Sequence, residues 1–340
     1  MAYTTINKPS EYFNTVLWTT DGTGNKALTT GHSTDMVWIK FRDFAYDHRI
    51  YDDVRGVTKK IIPNKTDAES TTTDLASFDA NGFTVGNNLN TSGEGGLVGW
   101  SWKANGAGVS NTDGSITSTV SANTTSGFSI VTWSGTSSNG TIGHGLGVAP
   151  KVIICFGYSS GTNSWTVGHN SLSWNNGIYL EATTAFSLAT LWQNTAPTNN
   201  VFSVGSFSGT NSSQSMIAYC FAEKKGFSKF GSYTGNGNAD GPFIYTGFKP
   251  AFVIMKRTDA TGYHWQIWDN KRDSFNLVDL GLNANTSAAE YTETFGDFVS
   301  NGFKITGTNT NKNEAGGTYI YMAFAENPLV GTNGVPATAR

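Results

Sequence analysis

The chain writes one pattern more than once, and that repetition limits what it can fold into more than any other feature. Between Pro250 and Asp273, PAFVIMKRTDATGYHWQIWDNKRD, an apolar run enters after a proline and ends in a basic-acidic pair. It then turns and returns as an aromatic run closed by Asp-Asn-Lys-Arg-Asp. Asp35 to Gly56 does the same with DMVWIKFRD, a turn and HRIYDDVRG, and a degraded copy follows Pro150 as PKVIICFGY, a turn through Gly161 and SWTVGHNSL. Flanking segments repeat as well: FDANGFTVGN returns as FVSNGFKITG, and GGLVGWSWKA as SQSMIAYCFAEKK and GGTYIYMAFAENP. Pro150 and Pro250 lie 100 residues apart and Phe78 and Phe298 lie 220 apart, so the period is about 100 to 110 residues. Each repeat is therefore domain-sized and is not a small solenoid unit.

This period divides the chain into an N-terminal arm (1–11), repeat one (12–104), a Gly/Asn/Ser linker (105–114), a divergent repeat two (115–226), repeat three (227–327) and a C-terminal tail (328–340). The arm is polar, contains Pro9 and shows no periodicity; such arms dock onto a neighbour or fray. Within each repeat, six to eight short apolar or alternating runs are separated by turn signals such as Asp21-Gly22, Gly24-Asn25 and Asn81-Gly82. Helix-length amphipathic segments are missing; the polar stretch Asn64–Asp74 is expected to hold at most one helical turn or a loop. The expected fold is all-β: three tandem antiparallel β-sandwiches, each strand burying one face and leaving the other to water. In GGLVGWSWKA, for instance, Val98, Trp100 and Trp102 form an aromatic face against Leu97, Gly99 and Ser101.

Composition fits turn-rich β-structure. Glycine is 40 of 340 residues and charged residues are 14%, against averages of about 7% and 25%. With 38% apolar and 13% aromatic residues the chain can fill a core. A formal charge of −3 without basic clusters removes the footprint of nucleic-acid binding. No apolar run approaches the roughly 20 residues that span a bilayer, and Met1–Ser10 lacks the pattern of a secretory signal.

Several residues are candidates for chemistry. The charged corner formed by Arg42, Asp43, Asp52, Asp53 and Arg55, repeated as Lys256, Arg257, Asp259, Asp269, Lys271, Arg272 and Asp273, invites a Ca²⁺ reading. Interleaved cations repel such an ion, so cross-strand ion pairing at sheet ends is the preferred reading. His32, His48, His144, His169 and His264 lack metal-ligand spacing, and His48 and His264 are read as one position in two copies. Glu69 and Glu290 match across repeats but have no identifiable partner for glycoside hydrolysis; no Gly-x-Ser-x-Gly or P-loop occurs. No catalytic, metal or cofactor-binding residue is therefore assigned. Cys155 and Cys220 fall in strand-like runs and read as buried thiols, with a disulfide as the alternative. Most tryptophans are expected in the core, including Trp165, Trp265 and Trp268. Trp174 and Trp192 sit in loop-like SLSWNNG and TLWQNTAP and are candidate exposed sugar-stacking platforms, and the loops 134–147, 235–241 and 309–317 are candidate binding surfaces.

YTGNGNADGPFIYTGFKPAFVIMKRTD, WQIWDNKRD, FVSNGFKI and GGTYIYMAFAENP together resemble a repeat found in tail-fibre-like structural proteins of tailed bacteriophages, particularly phages of marine bacteria. Repeat three matches along nearly its whole length, and repeat one through MVWIKFRD, HRIYDDVRG, FDANGFTVGN and GWSWKA. Repeat two lacks the basic-acidic pair and the Asp-Asn-Lys-Arg-Asp ending. The resemblance implies a concanavalin-like jelly roll exposed on a virion, with no catalytic residues and no cofactor. It implies a tail-fibre or spike component binding host glycan or protein, with terminal arms contacting other virion proteins and a trimer as the expected homo-oligomer. A capsid or tail decoration protein is the alternative, and a polysaccharide depolymerase the third reading.

Overall fold

The computed structural model describes residues 3–331 apart from 189, together with 334, 336 and 337. It is nearly all β, and the three repeats form three units of one plan, each with an inner and an outer set of strands. In unit 1 the strands Phe13–Thr19, Gly96–Trp102, Met36–Phe41 and Arg49–Asp52 hydrogen-bond in that order into an inner sheet, faced by an outer sheet of Lys26–Thr29, Gly82–Val85 and Leu75–Asp79. Unit 3 repeats the inner order as Ser228–Thr234, Thr318–Pro328, Phe248–Arg257 and Gln266–Asp269. Its outer strands Asp240–Tyr245, Gly302–Thr306 and Tyr291–Val299 join the inner sheet through Val278–Asn283. Unit 2 has Phe128–Ser134, Ser215–Phe221, Val152–Gly157 and Thr166–His169 inside and the pair Gly140–Gly143 and Val201–Val204 outside.

The inner sheets depart from the expected one-face burial. Every residue of Met36–Phe41, Val152–Gly157 and Phe248–Arg257 is buried, because each inner sheet has apolar partners on both sides. One face meets the unit's own outer sheet: Leu97 packs with Val37, Phe83 and Val85 in unit 1, and Met216, Ala218 and Cys220 with Phe202 and Val204 in unit 2. The other face meets the other two units. Met36, Trp38, Trp100 and Trp102, Ile154, Tyr219 and Phe221, and Phe252, Ile254 and Phe324 form one central cluster drawn from all three. A void of about 20 Å³ lined only by apolar atoms marks where the sheets meet. It is barely large enough for one water and has no polar partner to hold it.

The connections also differ from expectation. The expected linker 105–114 contains a strand, Val109–Asn111, which pairs with Ser118–Asn123 and extends the inner sheet of unit 2 beyond Phe128–Ser134. Asn64–Asp74 holds no helical turn; Ser70–Thr71 pairs with Lys59–Lys60. Pro250 lies inside its strand, at a register irregularity that accommodates its missing N–H. The loops 134–147 and 309–317 carry the strand Gly140–Gly143 and a short helix Thr310–Asn313. The described part of the arm packs where the chain's own second and third units meet: Tyr3 donates to the Gly247 carbonyl at 2.8 Å, Thr4 to the Lys225 carbonyl at 2.7 Å, and Ile6 enters the central cluster.

The repeated Asn-Gly-Phe motif has a steric cause. A Cβ on Gly82 would lie 1.9 Å from the Leu28 carbonyl oxygen, and one on Gly302 would lie 2.0 Å from that of Ile244, the matching site in unit 3. Both oxygens belong to rigid strand backbone. Gly302→Ala is therefore expected to destabilise the fold by at least about 2 kcal/mol in chemical denaturation. Gly307→Ala, where φ is +78° and nothing lies within 4 Å, should cost only the left-handed backbone preference of about 1 to 2 kcal/mol. Equal losses would show that the close approach does not govern this position.

Candidate functional site at the unit junctions

Backbone hydrogen bonds identify equivalent positions across the three junctions. The N–H of Glu69 in unit 1 donates to the Tyr158 carbonyl of unit 2 at 2.8 Å, Phe186 of unit 2 donates to Thr258 of unit 3 at 3.1 Å, and Glu290 of unit 3 donates to Arg42 of unit 1 at 2.7 Å. The three units therefore close into a ring. A second set runs in the opposite sense through side chains: His48 Nε2 donates to Asn283 at 3.1 Å, Trp165 Nε1 to Ile62 at 3.1 Å and Trp265 Nε1 to Tyr179 at 2.9 Å, each to a carbonyl oxygen. In a third set Asp52 accepts from the Tyr219 hydroxyl at 2.7 Å, Asp269 accepts from Trp100 Nε1 at 3.0 Å, and His169 Nε2 donates to the Tyr321 carbonyl at 3.3 Å.

The Asp52-Arg55 and Asp269-Arg272 parts of the charged corners fold into these junctions, whereas Arg257 pairs with Asp259 at the end of its strand at 3.0 Å. Asp52 and Asp269 each begin a tight turn whose Arg55 or Arg272 returns to the carboxylate, at 2.7 and 2.6 Å, and both pairs are buried. Arg55 continues to Glu69 at 2.9 Å, its plane over the Tyr158 ring of unit 2. Arg272 continues to Glu290 at 3.0 Å, and Glu290 is gripped from unit 1 by Arg42 through two bonds of 3.0 and 2.8 Å. Burial opposes the charge of Arg55, but the neighbouring carboxylates outweigh it and hold the guanidinium protonated. Guanidinium groups occupy carboxylate oxygens of Asp52 and Asp269 that the Ca²⁺ reading would require. Among the described residues, no group of three or more His, Cys, Asp or Glu side chains is arranged to hold a metal ion.

At the junction between units 2 and 3, three positions change together. Leu172 stands where the other units have Arg55 and Arg272, Phe186 where they have Glu69 and Glu290, and Thr258 where unit 1 has Arg42. A groove of about 350 Å³ opens there, and all three replacements line it, with Ser171, Ser232, Thr234 and Thr318 among its other walls. A shallower hydroxyl-lined groove of about 270 Å³ crosses the matching strand of unit 2, bounded by Thr132, Ser134 and Tyr158 and by Thr117 and Thr119 of the added strand region.

The structure relocates the two tryptophans expected as platforms. Trp174 is 6% exposed and Trp192 is 1% exposed; their rings meet edge to face at 5.7 Å inside unit 2. Gly168 makes this possible, since a Cβ there would lie within 2.5 Å of Trp174 and 2.8 Å of Trp192. His48 and His264 are not equivalent: His48 matches Trp265, while His264 lies one residue earlier and meets Asn285. Cys155 and Cys220 are free and buried. Sequence reasoning overlooked Lys40 and placed Lys256 in the charged corner; both lie fully buried on the central face, each capped by backbone carbonyls of Phe41 and Phe44 or of Thr183 and Tyr263. Burial pushes both ammonium groups down to about 8, and unit 2 places Phe156 at the same position, stacked on Trp165. Leu172, Phe186 and Thr258 were also missed; superposing the repeats and asking where charge is lost would have found the first and last.

Fold and junctions together define a ring-closed all-β protein of three units around a shared core. The chain belongs to the family described as a domain of unknown function, DUF7483, whose pattern matches residues 8–328 and so spans all three units as one block. Comparison with curated proteins gives no match, and comparison with solved structures gives none.

Removing one partner from a buried ion pair leaves an uncompensated charge. Arg272→Leu alone should therefore cost about 3 to 5 kcal/mol in chemical denaturation. Adding Asp269→His, Glu290→Phe and Arg42→Thr, which copies the junction of units 2 and 3, should recover more than half of that loss. A combined variant no more stable than Arg272→Leu would refute the equivalence of the junctions.

Buried imidazoles set a pH dependence. Burial, with the Lys40 charge adding to it, pushes His48 down to about 3, and burial lowers His169 and His32 to about 4. His48 Nδ1 already accepts from Trp38 Nε1 at 2.8 Å, so a proton there would break that bond. The unfolded chain takes up protons near pH 6.5, before the folded one. The stabilisation is thus complete above that pH and is lost as pH falls toward 4. Each histidine contributes about 1.4 kcal/mol per pH unit in this range. Asp35 and Glu181, raised chiefly by burial, act in the opposite sense nearer pH 4, so the test is the urea midpoint between pH 7.5 and 5. It should fall once the pH drops below about 6.5; a midpoint constant down to pH 5 would contradict neutral buried histidines.

Proposed function

We propose that this protein is a non-catalytic structural component of a bacteriophage particle, a tail-fibre or spike-type part that binds the host surface. The resemblance of its motifs to tail-fibre-like proteins supplies the setting. The observation that carries the non-catalytic part is the use made of the reactive side chains. Of the groups from which an acid-base site would be drawn, Asp52, Asp269, Glu290, His48 and His169 bond one unit to the next, and Glu69 is held by Arg55 of its own unit. A general acid or base needs a pKa near the working pH and reach to a substrate. Carboxylates locked by arginine, and imidazoles buried and bonded at both nitrogens, lack that reach.

The three-unit body then serves as a rigid part of the particle surface, and its exposed hydroxyl- and amide-rich loops meet the host. Antibody labelling of purified virions should place the protein on the tail or its fibres. Purified chain should bind host cells saturably without releasing reducing ends from envelope glycan. Labelling confined to the head, with no cell binding, would support a decoration protein, and release of reducing ends would support a depolymerase; either result rejects the proposal.

A further inference from the structure

The groove between units 2 and 3 is the one junction from which the charged plug has been removed. The other two junctions are filled by Arg55, Glu69 and Tyr158 and by Arg272, Glu290 and Arg42. Here Leu172, Phe186 and Thr258 leave about 350 Å³ open, within the size range of small-molecule sites. The ring of Phe186 is 39% exposed, yet its backbone is fixed by the bond to Thr258, and Ala185 beside it is held by the Thr261 hydroxyl at 3.2 Å. A flat apolar surface is thus presented on an anchored segment.

Across the groove, Ser232 and Thr234 stand two residues apart on one face of an edge strand, and Ser171 projects from unit 2. Among the described residues none of these three hydroxyls has an intramolecular partner, and no charged side chain lines the groove. Hydroxyls that both donate and accept, facing a phenyl ring in an uncharged cleft, suit a neutral polyhydroxylated ring with one C–H face. They do not suit a phosphate or carboxylate, which would need a cation, or an acyl chain, which would leave the hydroxyls unsatisfied.

We propose that this groove is a carbohydrate-binding site that takes one neutral sugar residue, stacked on Phe186 and hydrogen-bonded by Ser171, Ser232 and Thr234. It deepens the attachment reading and rests on it for the source of the sugar. The test titrates the full chain with methyl glucoside, galactoside, mannoside and N-acetylglucosaminide, followed by saturation-transfer NMR and calorimetry. At least one should bind. Phe186→Ala should weaken that binding by roughly tenfold, and Thr234→Val by several-fold, with an unchanged thermal midpoint. Phe275→Ala, at an exposed ring outside the groove, and Ser134→Ala, in the neighbouring groove, should leave it unchanged. No binding at millimolar glycoside, or binding that survives Phe186→Ala or is lost with Ser134→Ala, overturns the site. Cell attachment separates the two claims: attachment without glycoside binding rejects the site alone, and glycoside binding without attachment rejects the attachment reading alone.

Discussion

The inner sheets are apolar on both faces, and the rest of the structure follows from that. An antiparallel sheet in a lone sandwich keeps one face for water, as alternation permits. Here Met36, Trp38, Trp100 and Trp102 project from the face opposite Leu97 and Val37, so unit 1 alone would expose a continuous aromatic surface. Each large apolar side chain contributes about 1.5 to 3 kcal/mol on full burial, and contiguous patches of this kind are rare on monomeric surfaces. Two further copies provide the cover, and three sheets around one axis cover one another without leaving an open face. Domain-sized repeats are thus joined into one cooperative body, in keeping with a family pattern that spans 8–328 without division.

A shared core brings polar backbone and charged side chains into the junctions, where each needs a partner. The ring of N–H to carbonyl bonds from Glu69, Phe186 and Glu290 meets part of that need, and the Asp-Arg-Glu clusters meet the rest. Buried ion pairs add little net stability over well-packed apolar groups, because desolvation offsets most of the attraction. Their effect is on pairing: Glu290 accepts Arg272 from its own unit and a forked Arg42 from the next, a geometry that a slipped junction would not reproduce. Lys40 and Lys256 follow the same logic, their buried ammonium groups finding partners in backbone carbonyls, and Lys256 reaches Thr183 of unit 2. Phe156 on Trp165 shows the apolar solution to the same space.

Repetition, strand positions and the all-β class were legible because each is a local property of the chain. The shared core was partly legible: MVWI, VIICF and FVIM are continuous apolar runs, and such runs signal burial on both faces. Alternation in GLVGWSW pointed the other way, since its second face of Leu97, Gly99 and Ser101 is small enough to pass for a solvent face. Trp174 and Trp192 misled because their neighbours are turn-forming residues, whereas the room for the indoles comes from Gly168 in the strand Thr166–His169. Glu69 and Glu290 were matched across repeats, but the forked Arg42 partner of Glu290 lies in another unit, and no local pattern names a residue so far away in the chain.

Linking three copies in one chain changes what the ring can do. In a trimer of identical subunits, replacing an arginine at the junction would empty all three interfaces at once, and the cost of each unpaired carboxylate would be multiplied by three. A single chain lets one junction change while two keep their ionic pairing. Unit 2 has changed in several places together: His169 for the aspartate, Leu172 for the arginine and Phe186 for the glutamate, with Thr258 opposite in unit 3. Because both charges of the pair are gone, no buried ion is stranded, and the backbone bond from Phe186 to Thr258 still closes the ring. The junction that gave up its charges remains structurally intact, and an open, uncharged groove can occupy it without loosening the other two.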